Sequence, residues 1–411
     1  MKLSNNFTKT TKDFPKDETS LNAQLLIKAG FIDKLMAGVY TMLPLGYRVY
    51  KKIEQIIREE MNALGGQEMY MPTIQPKANW DLTGRWDEMD VLFKMNLSDG
   101  KRQVALGPTH EEVVSPLVKK YINSYKDLPF SVYHIQNKFR NEKRAKSGIL
   151  RGREFMMKDL YSFHESQNDL DKYYEQVSVA YENVFKRVGI GNETYKTYAS
   201  GGTFSKYSHE FQTLTDAGED YIYICDKCRV AINKEILADQ KNKCPECGNS
   251  ELREEKAVEV GNIFKLGNKF SAPFELQYTD ESGEKKDVII GCYGIGLQRL
   301  MGTVVEVCND ENSIIWPESV APFKVHLISI KKNNEAEMIY NDLVESGVEV
   351  LYDDREDVGV GAKFADADLI GCPIRLVVSE KTLKEKSVEF KRRDSEEVRN
   401  IKIDEIIKEI K

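Results

Sequence analysis

Phe139-Arg140-Asn141-Glu142 and, beyond a basic stretch, Arg151-Gly152-Arg153-Glu154-Phe155 decide how this sequence is read. Residues 131–139 alternate in polarity and read as a strand, and residues 153–164 read as a second strand. Between them, residues 141–152 are basic and glycine-containing, and an exposed loop is expected there. An arginine and a glutamate two apart on a strand face the same side. Arginine forks onto a carboxylate or phosphate through two parallel hydrogen bonds, and an aromatic such as Phe155 can stack on a purine. Lys143, Arg144, Lys146, Arg151 and Arg153 add a local positive field for a polyphosphate or nucleic acid. Taken alone, an arginine–glutamate pair is ordinarily a surface ion pair of little weight. The surrounding sequence must decide.

Outward from this pair, residues 20–64 read as helical, interrupted at Gly30. The second helix runs from about residue 46 to 64 on the stripe Val49, Ile53, Ile56, Ile57 and Met61. Gln67 to Pro72 reads as a strand ending at proline. Residues 91–96 and 103–106 read as a hairpin turned at Ser98-Asp99-Gly100. Residues 111–125 and 170–188 read as helices. The pattern is α+β: an antiparallel strand-rich core flanked by helices. After Trp316-Pro317-Glu318-Ser319-Val320-Ala321-Pro322, which reads as a linker, strands and helices alternate as in a small α/β domain.

Two further stretches carry chemistry. Gly291-Cys292-Tyr293-Gly294-Ile295-Gly296-Leu297-Gln298-Arg299 brings three glycines, which let backbone approach a ligand, up to an arginine opening a helix. It is neither Gly-x-Gly-x-x-Gly nor surrounded by a βαβ unit, and no Walker A motif occurs. Gly107-Pro108-Thr109-His110-Glu111-Glu112 has two readings. Thr109 with Glu112 forms a capping box, or Thr109 and Glu111 hold a substrate ammonium.

At 411 residues the chain calls for two or three domains. With 41% apolar and 30% charged residues, a soluble globular protein is expected. A net charge of −7 speaks against a small basic DNA-binding module but leaves local basic patches open. No apolar run is long enough to span a membrane, and residues 1–19 lack the apolar core of a secretory signal, so a cytoplasmic location is expected. Four of the seven cysteines cluster. Cys225-x-x-Cys228 and Cys244-x-x-Cys247, separated by 15 residues, have the spacing of a four-thiolate structural zinc ribbon.

Together these residues resemble the class II aminoacyl-tRNA synthetases, and among them the prolyl-tRNA synthetases of bacterial type. Gly66-Gln67-Glu68-Met69-Tyr70-Met71-Pro72 is similar to motif 1, Phe139 through Phe155 to motif 2, and Gly291 through Arg299 to motif 3. Gly107 through Glu112, Met157-Lys158-Asp159-Leu160-Tyr161-Ser162-Phe163-His164, and Gly291 through Gly296 resemble stretches specific to the prolyl enzymes. The resemblance covers nearly the whole chain, with its motifs in order.

The resemblance implies a class II catalytic core in residues 1–220 and 257–320, a small zinc-ribbon-like insertion at 221–256, and an anticodon-binding domain at 321–411. It implies ATP-dependent attachment of L-proline to tRNA(Pro) through a prolyl-adenylate, with ATP and Mg²⁺, in a homodimer joined at motif 1. Thr109 and Glu111 would hold the proline amine, and Arg140 would bridge the proline carboxylate and the α-phosphate. Glu142 and Arg151 would contact ATP, Phe155 would stack on adenine, Arg299 would bind the γ-phosphate, and Glu210 of Ser208-His209-Glu210-Phe211 would help place substrate or Mg²⁺. Phe163, His164 and Cys292 would line the proline pocket. Arg355, Lys363 and Phe364 are the anticodon candidates. Such a pocket rejects larger residues by shape but alanine only weakly, a few methylenes being worth about 1–3 kcal/mol. Segment 221–256 is also too short to hold the large editing insertion of many bacterial prolyl enzymes, so no built-in hydrolysis of alanyl-tRNA is expected.

Overall fold

The computed structural model describes every residue except Thr203, Glu311 and Lys411. The chain divides into two units: residues 36–39 with 53–303, and residues 1–35 and 40–52 with 304–411. No helix among the described residues is long and apolar enough to cross a membrane.

The first unit is built on a nine-stranded sheet. Its strands in chain order are β1 (Gln67–Glu68), β2 (Phe130–Phe139), β3 (Glu154–His164), β4 (Thr194–Ser200), β5 (Tyr207–Leu214), β6 (Asp220–Cys225), β7 (Val230–Asn233), β8 (Arg253–Gly267) and β9 (Ile289–Gly296). They lie in the order β5-β4-β7-β6-β8-β9-β3-β2-β1. Within the central four strands all pairings are antiparallel. β2 pairs with β3 so that Lys138 opposes Phe155, Gln136 Met157, His134 Asp159 and Phe130 Phe163. β9 pairs with β3 so that Gly296 opposes Met157, Gly294 Asp159 and Cys292 Tyr161. β8 sets Asn262 against Gly294, and β5 sets Glu210 against Asn262. Directly opposed residues share a face and successive residues alternate. One face therefore carries Lys138, Phe155, Asp159, Tyr161, Phe163, Cys292, Asn262 and Glu210. The other carries Lys158, Ser162, His164 and Tyr293, under the helix Gln167–Arg187. There Lys158 donates to the Tyr181 hydroxyl at 2.5 Å, and the Tyr174 ring packs on Tyr293.

Several elements differ from the sequence reading. A hairpin, Ile32–Met36 with Val39–Met42, interrupts the helical stretch after Gly30. Gly38 turns it at φ +76°, and the following Val-Tyr-Thr run favours strand. The strand expected at 67–72 is two residues long. The helix expected to reach residue 125 ends at Val118, and Ser124 and Asp127 form a capping box that opens a separate turn at Tyr125–Asp127. The loop 141–152 is not wholly exposed. Ile149 and Leu150 are buried, and a Cβ at Gly302 would meet the Leu150 side chain at 2.8 Å, so that glycine admits the loop. Segment 221–256 is not set apart, since β6 and β7 lie inside the sheet between β4 and β8.

In the second unit, β10 (Val325–Ser329), β11 (Val350–Asp353), β12 (Ile374–Val378), β13 (Ser387–Arg392) and β14 (Val398–Lys402) form a sheet in the order β11-β10-β12-β13-β14. β10 is parallel to both neighbours, and β13 and β14 close the sheet antiparallel. Val325, Leu327, Tyr352, Leu376 and Phe390 anchor its core with Ile339 and Leu343 of the helix Asn333–Glu345.

Candidate active site

Arg140, Glu142, Arg151, Phe155 and Arg299 line one narrow cavity, together with Gly296 and Met157. Arg140 and Glu142 lie just past the end of β2, not on it, yet both reach this space. The Arg140 guanidinium carbon stands 5.2 Å over the Phe155 ring, and Nη2 donates to the Pro108 carbonyl at 3.4 Å. Burial and, after it, the charge of Arg299 push the Arg140 pKa down. A guanidinium that is both desolvated and beside another cation is a receptor for an anion. Arg299 is fixed by the Leu150 carbonyl at 2.9 Å and Glu259 Oε2 at 3.1 Å. Arg151 donates to Glu142 at 3.0 Å and to Glu219 at 3.1 Å. A neighbouring cavity of about 150 Å³ shares Arg151 and Arg299 with it and is also lined by Glu219, Asp220 and Glu259.

Thr109, Glu111 and Cys292 meet just past Pro108, whose carbonyl Arg140 reaches. Glu111 is 1% exposed; it accepts from the Thr109 hydroxyl at 2.5 Å and from the Cys292 thiol at 3.2 Å. The capping box is not formed. His110 occupies the cap position without a side-chain cap, and Glu112 turns to Arg85 Nη1 at 2.8 Å and Thr83 at 2.9 Å. Phe163 lies on the same sheet face as Cys292 and in one apolar cluster with it, stacked on Phe130 at 4.9 Å. His164 does not belong to the pocket. The pleat sends it to the opposite face, where Nδ1 meets Asp169 at 2.6 Å. Consecutive strand residues cannot line one cavity wall, and that corrects the expectation for His164.

A buried polar cluster lies under these groups. Lys138 Nζ stands 2.7 Å from Asp159, 2.9 Å from His110 Nδ1 and 2.6 Å from His134 Nε2. Against burial, Lys138 and His134 hold the Asp159 carboxyl well below the usual carboxylate range. His110, His134 and Asp159 have the spacing of a metal site, but the Lys138 ammonium stands among all three. Arg85, Lys138 and Asp159 were not singled out as site residues. Lys138 and Asp159 lie inside quoted or adjoining motifs, whereas nothing in the sequence around Arg85 marks it.

On the far side, Glu210, Gln212, Glu259 and Asn262 face one another across β5 and β8. Burial and the neighbouring Glu259 charge push the Glu210 carboxyl up to about 8. Gln212 Oε1 and Asn262 Oδ1 are buried without a hydrogen-bond partner. Carboxylates under mutual repulsion with bare amide oxygens fit a hard cation.

The sulfur atoms of Cys225, Cys228, Cys244 and Cys247 lie within 4.8 Å of one another, with Cys225 and Cys247 at 3.7 Å. A tetrahedral zinc with bonds of about 2.3 Å sets its sulfurs about 3.8 Å apart, so the residues fit that ion. In the second unit, Arg355 forks onto Asp353 at 2.9 and 2.6 Å and reaches Asp366 at 2.8 Å. Lys363 is buried and donates to the Ser329 carbonyl. Both are spent on holding the buried Asp353. Phe364 is partly buried in the small core, under the Arg375 guanidinium at 4.6 Å.

Residues 93–308 match the tRNA synthetase class II core domain (G, H, P, S and T), and residues 322–411 match an anticodon binding domain. The chain is 38% identical to the proline–tRNA ligase of Hyphomonas neptunium, across 100% of both chains. It is 34% identical to that of Geobacillus sp., covering 100% of this chain and 99% of that one. The latter alignment runs over 566 positions, so that relative holds stretches with no counterpart in these 411 residues. A prolyl-tRNA synthetase of Cryptosporidium parvum, solved with L-proline and AMP, superposes with a TM-score of 0.77 at 20% identity, covering 95% of this chain and 73% of that one.

Proposed function

The chain belongs to the proline–tRNA ligases of the class II aminoacyl-tRNA synthetases, and from that premise we propose how its residues carry out the reaction. The enzyme attaches proline to tRNA with ATP. Proline's ammonium docks on Glu111 and Thr109, its ring lies toward Cys292 with Phe163 behind, and its carboxylate meets Arg140. The adenine ring stacks on Phe155, Glu142 and Arg151 position the nucleotide, and Arg299 takes the γ-phosphate. The proline carboxylate attacks the α-phosphate, pyrophosphate leaves, and the adenylate passes its acyl group to a terminal hydroxyl of tRNA(Pro). Charge neutralisation by Arg140 and Arg299 is the main catalytic term, because anions accumulate on both sides of the reacting phosphorus.

Glu210 and Glu259, with the Gln212 and Asn262 amide oxygens, would hold Mg²⁺, which supplies further charge neutralisation on the phosphates. The four cysteines would hold a structural Zn²⁺. The chain would act in the cytoplasm as a homodimer through residues 66–72, a reading supported by Tyr70, 81% exposed. The short segment 221–256 supports the absence of built-in alanyl-tRNA hydrolysis, and rapid deacylation by the purified chain would contradict it.

One observation carries this reading: Arg140 and Arg299 line a common cavity, and Arg140 reaches the Pro108 carbonyl, one residue before the buried Thr109–Glu111–Cys292 group. Incubation with ATP, labelled proline and tRNA tests it. Acid-precipitable prolyl-tRNA is expected, and its absence with folded protein would overturn the assignment.

A further inference from the structure

Three acidic groups and two basic groups are packed around the ammonium pocket. Arg85 is 4% exposed, and its guanidinium carbon stands 5.2 Å from the Trp80 ring and 5.1 Å from both the Phe204 and Phe270 rings. Aromatic faces hold it in place from several sides. It reaches two adjacent glutamates unequally, Glu112 Oε1 at 2.8 Å and Glu111 Oε2 at 3.5 Å. Thr83 adds a bond to the same Glu112 oxygen, and the other, Oε2, is buried without a partner. Glu111 receives its short bonds from neutral donors, the Thr109 hydroxyl and the Cys292 thiol.

The remaining charges nearby are accounted for. Lys138 is committed to Asp159, and burial followed by the Lys138 charge pushes the flanking His110 down to about 2, leaving it neutral. Burial keeps the Cys292 thiol and the Tyr161 hydroxyl protonated. Arg85 offsets one glutamate, Lys138 offsets Asp159, and Arg140 is taken by the substrate carboxylate, so one glutamate charge is left for the ammonium.

We propose that Glu112 is a positioning residue: by engaging Arg85 it prevents that guanidinium from neutralising Glu111, and so preserves the negative charge that binds the substrate ammonium. The idea rests on the reading of Glu111 as the ammonium acceptor. Without the Glu112 charge, Arg85 is free to close the 3.5 Å gap to Glu111 and compete with the substrate for the same carboxylate oxygen. Burial, and beyond it the Glu111 charge acting against Arg85, sets the Glu112 carboxyl at about 7. The carboxyl is ionised above that pH and protonated below it, so the device weakens as pH falls through neutrality.

The test is proline-dependent pyrophosphate exchange at saturating ATP, from pH 6 to 8.5, with wild type, Glu112→Gln and Glu111→Gln. For wild type the proline KM should rise as pH drops below about 7 while the ATP KM does not follow it. Glu112→Gln should show a proline KM raised roughly tenfold at pH 8, the scale of one charged hydrogen bond, with no further rise at low pH. A wild-type proline KM and pH profile in Glu112→Gln would overturn the proposal, as would a flat profile in the wild type. If Glu112→Gln fails to fold, the wild-type profile alone decides. Glu111→Gln separates the two ideas: an unchanged proline KM there removes the ammonium reading itself.

Discussion

Arg140 and Arg299, from distant stretches of the chain, line one cavity, where burial and then the Arg299 charge hold the Arg140 guanidinium below its ordinary pKa. Glu259 offsets Arg299 at 3.1 Å, while Arg140, among the described residues, donates only to the Pro108 carbonyl, so an anionic occupant relieves the remaining cost of the two like charges. The nucleotide phosphates and the substrate carboxylate are such occupants, and the rest of the site is arranged around them.

Arg140→Ala removes the group placed between carboxylate and α-phosphate. Adenylate formation should fall roughly 10²–10³-fold, the scale for one preorganised charge contact. Near-normal pyrophosphate exchange in that variant would refute the role.

His164→Asn probes the corrected assignment. The residue faces the helix Gln167–Arg187 through Asp169, so the variant should lose about 1–3 kcal/mol of stability in urea melts. Its proline KM should stay within about twofold of wild type, a shift too small for a lost ligand contact. A large rise in proline KM without loss of stability would return His164 to the pocket.

Lys138→Met leaves Asp159 buried without its closest counter-ion at 2.7 Å. Breaking a buried pair from one side costs about 3–5 kcal/mol, and denaturant unfolding should report a loss on that scale. A neutral result would mean that water or the two histidines satisfy Asp159 unaided.

The four-cysteine site should bind one zinc per chain, measurable by elemental analysis. The hairpin it anchors, β6–β7, also carries Asp220 and Asn233. These accept from Gln212 at 2.9 Å and donate to Glu210 at 3.3 Å, respectively. Removing the metal with a chelator, or replacing Cys225 by Ser, should therefore raise the ATP KM and leave the proline KM in place. Protein that contains no metal, or an ATP KM indifferent to its removal, would argue against this link.

The features legible in sequence were those written locally. The strand pair around Arg140 and Phe155, the glycine-rich approach to Arg299 and the paired Cys-x-x-Cys knuckles each follow from short-range pattern. Other features needed the pairing register. His164 looks like a pocket residue because it adjoins Phe163, and only the pleat separates them. Thr109 and Glu112 have the spacing of a capping box, but Arg85, contributed from a different segment, claims the glutamate. Lys363 and Arg355 look like exposed nucleic-acid contacts until Asp353 appears between them. For His164 an opposite sheet face decides the role and for Glu112 a charged partner distant in sequence does; for Arg355 the partner lies two residues away, and what the local pattern hides is that Asp353 is buried.

The most direct test of the central claim is amino-acid-dependent pyrophosphate exchange across all twenty substrates. Strong exchange with proline, weaker exchange with alanine and none with larger residues is the predicted outcome. Exchange driven best by any other amino acid, or by none in folded protein, would contradict the account of a proline pocket beside paired guanidinium groups.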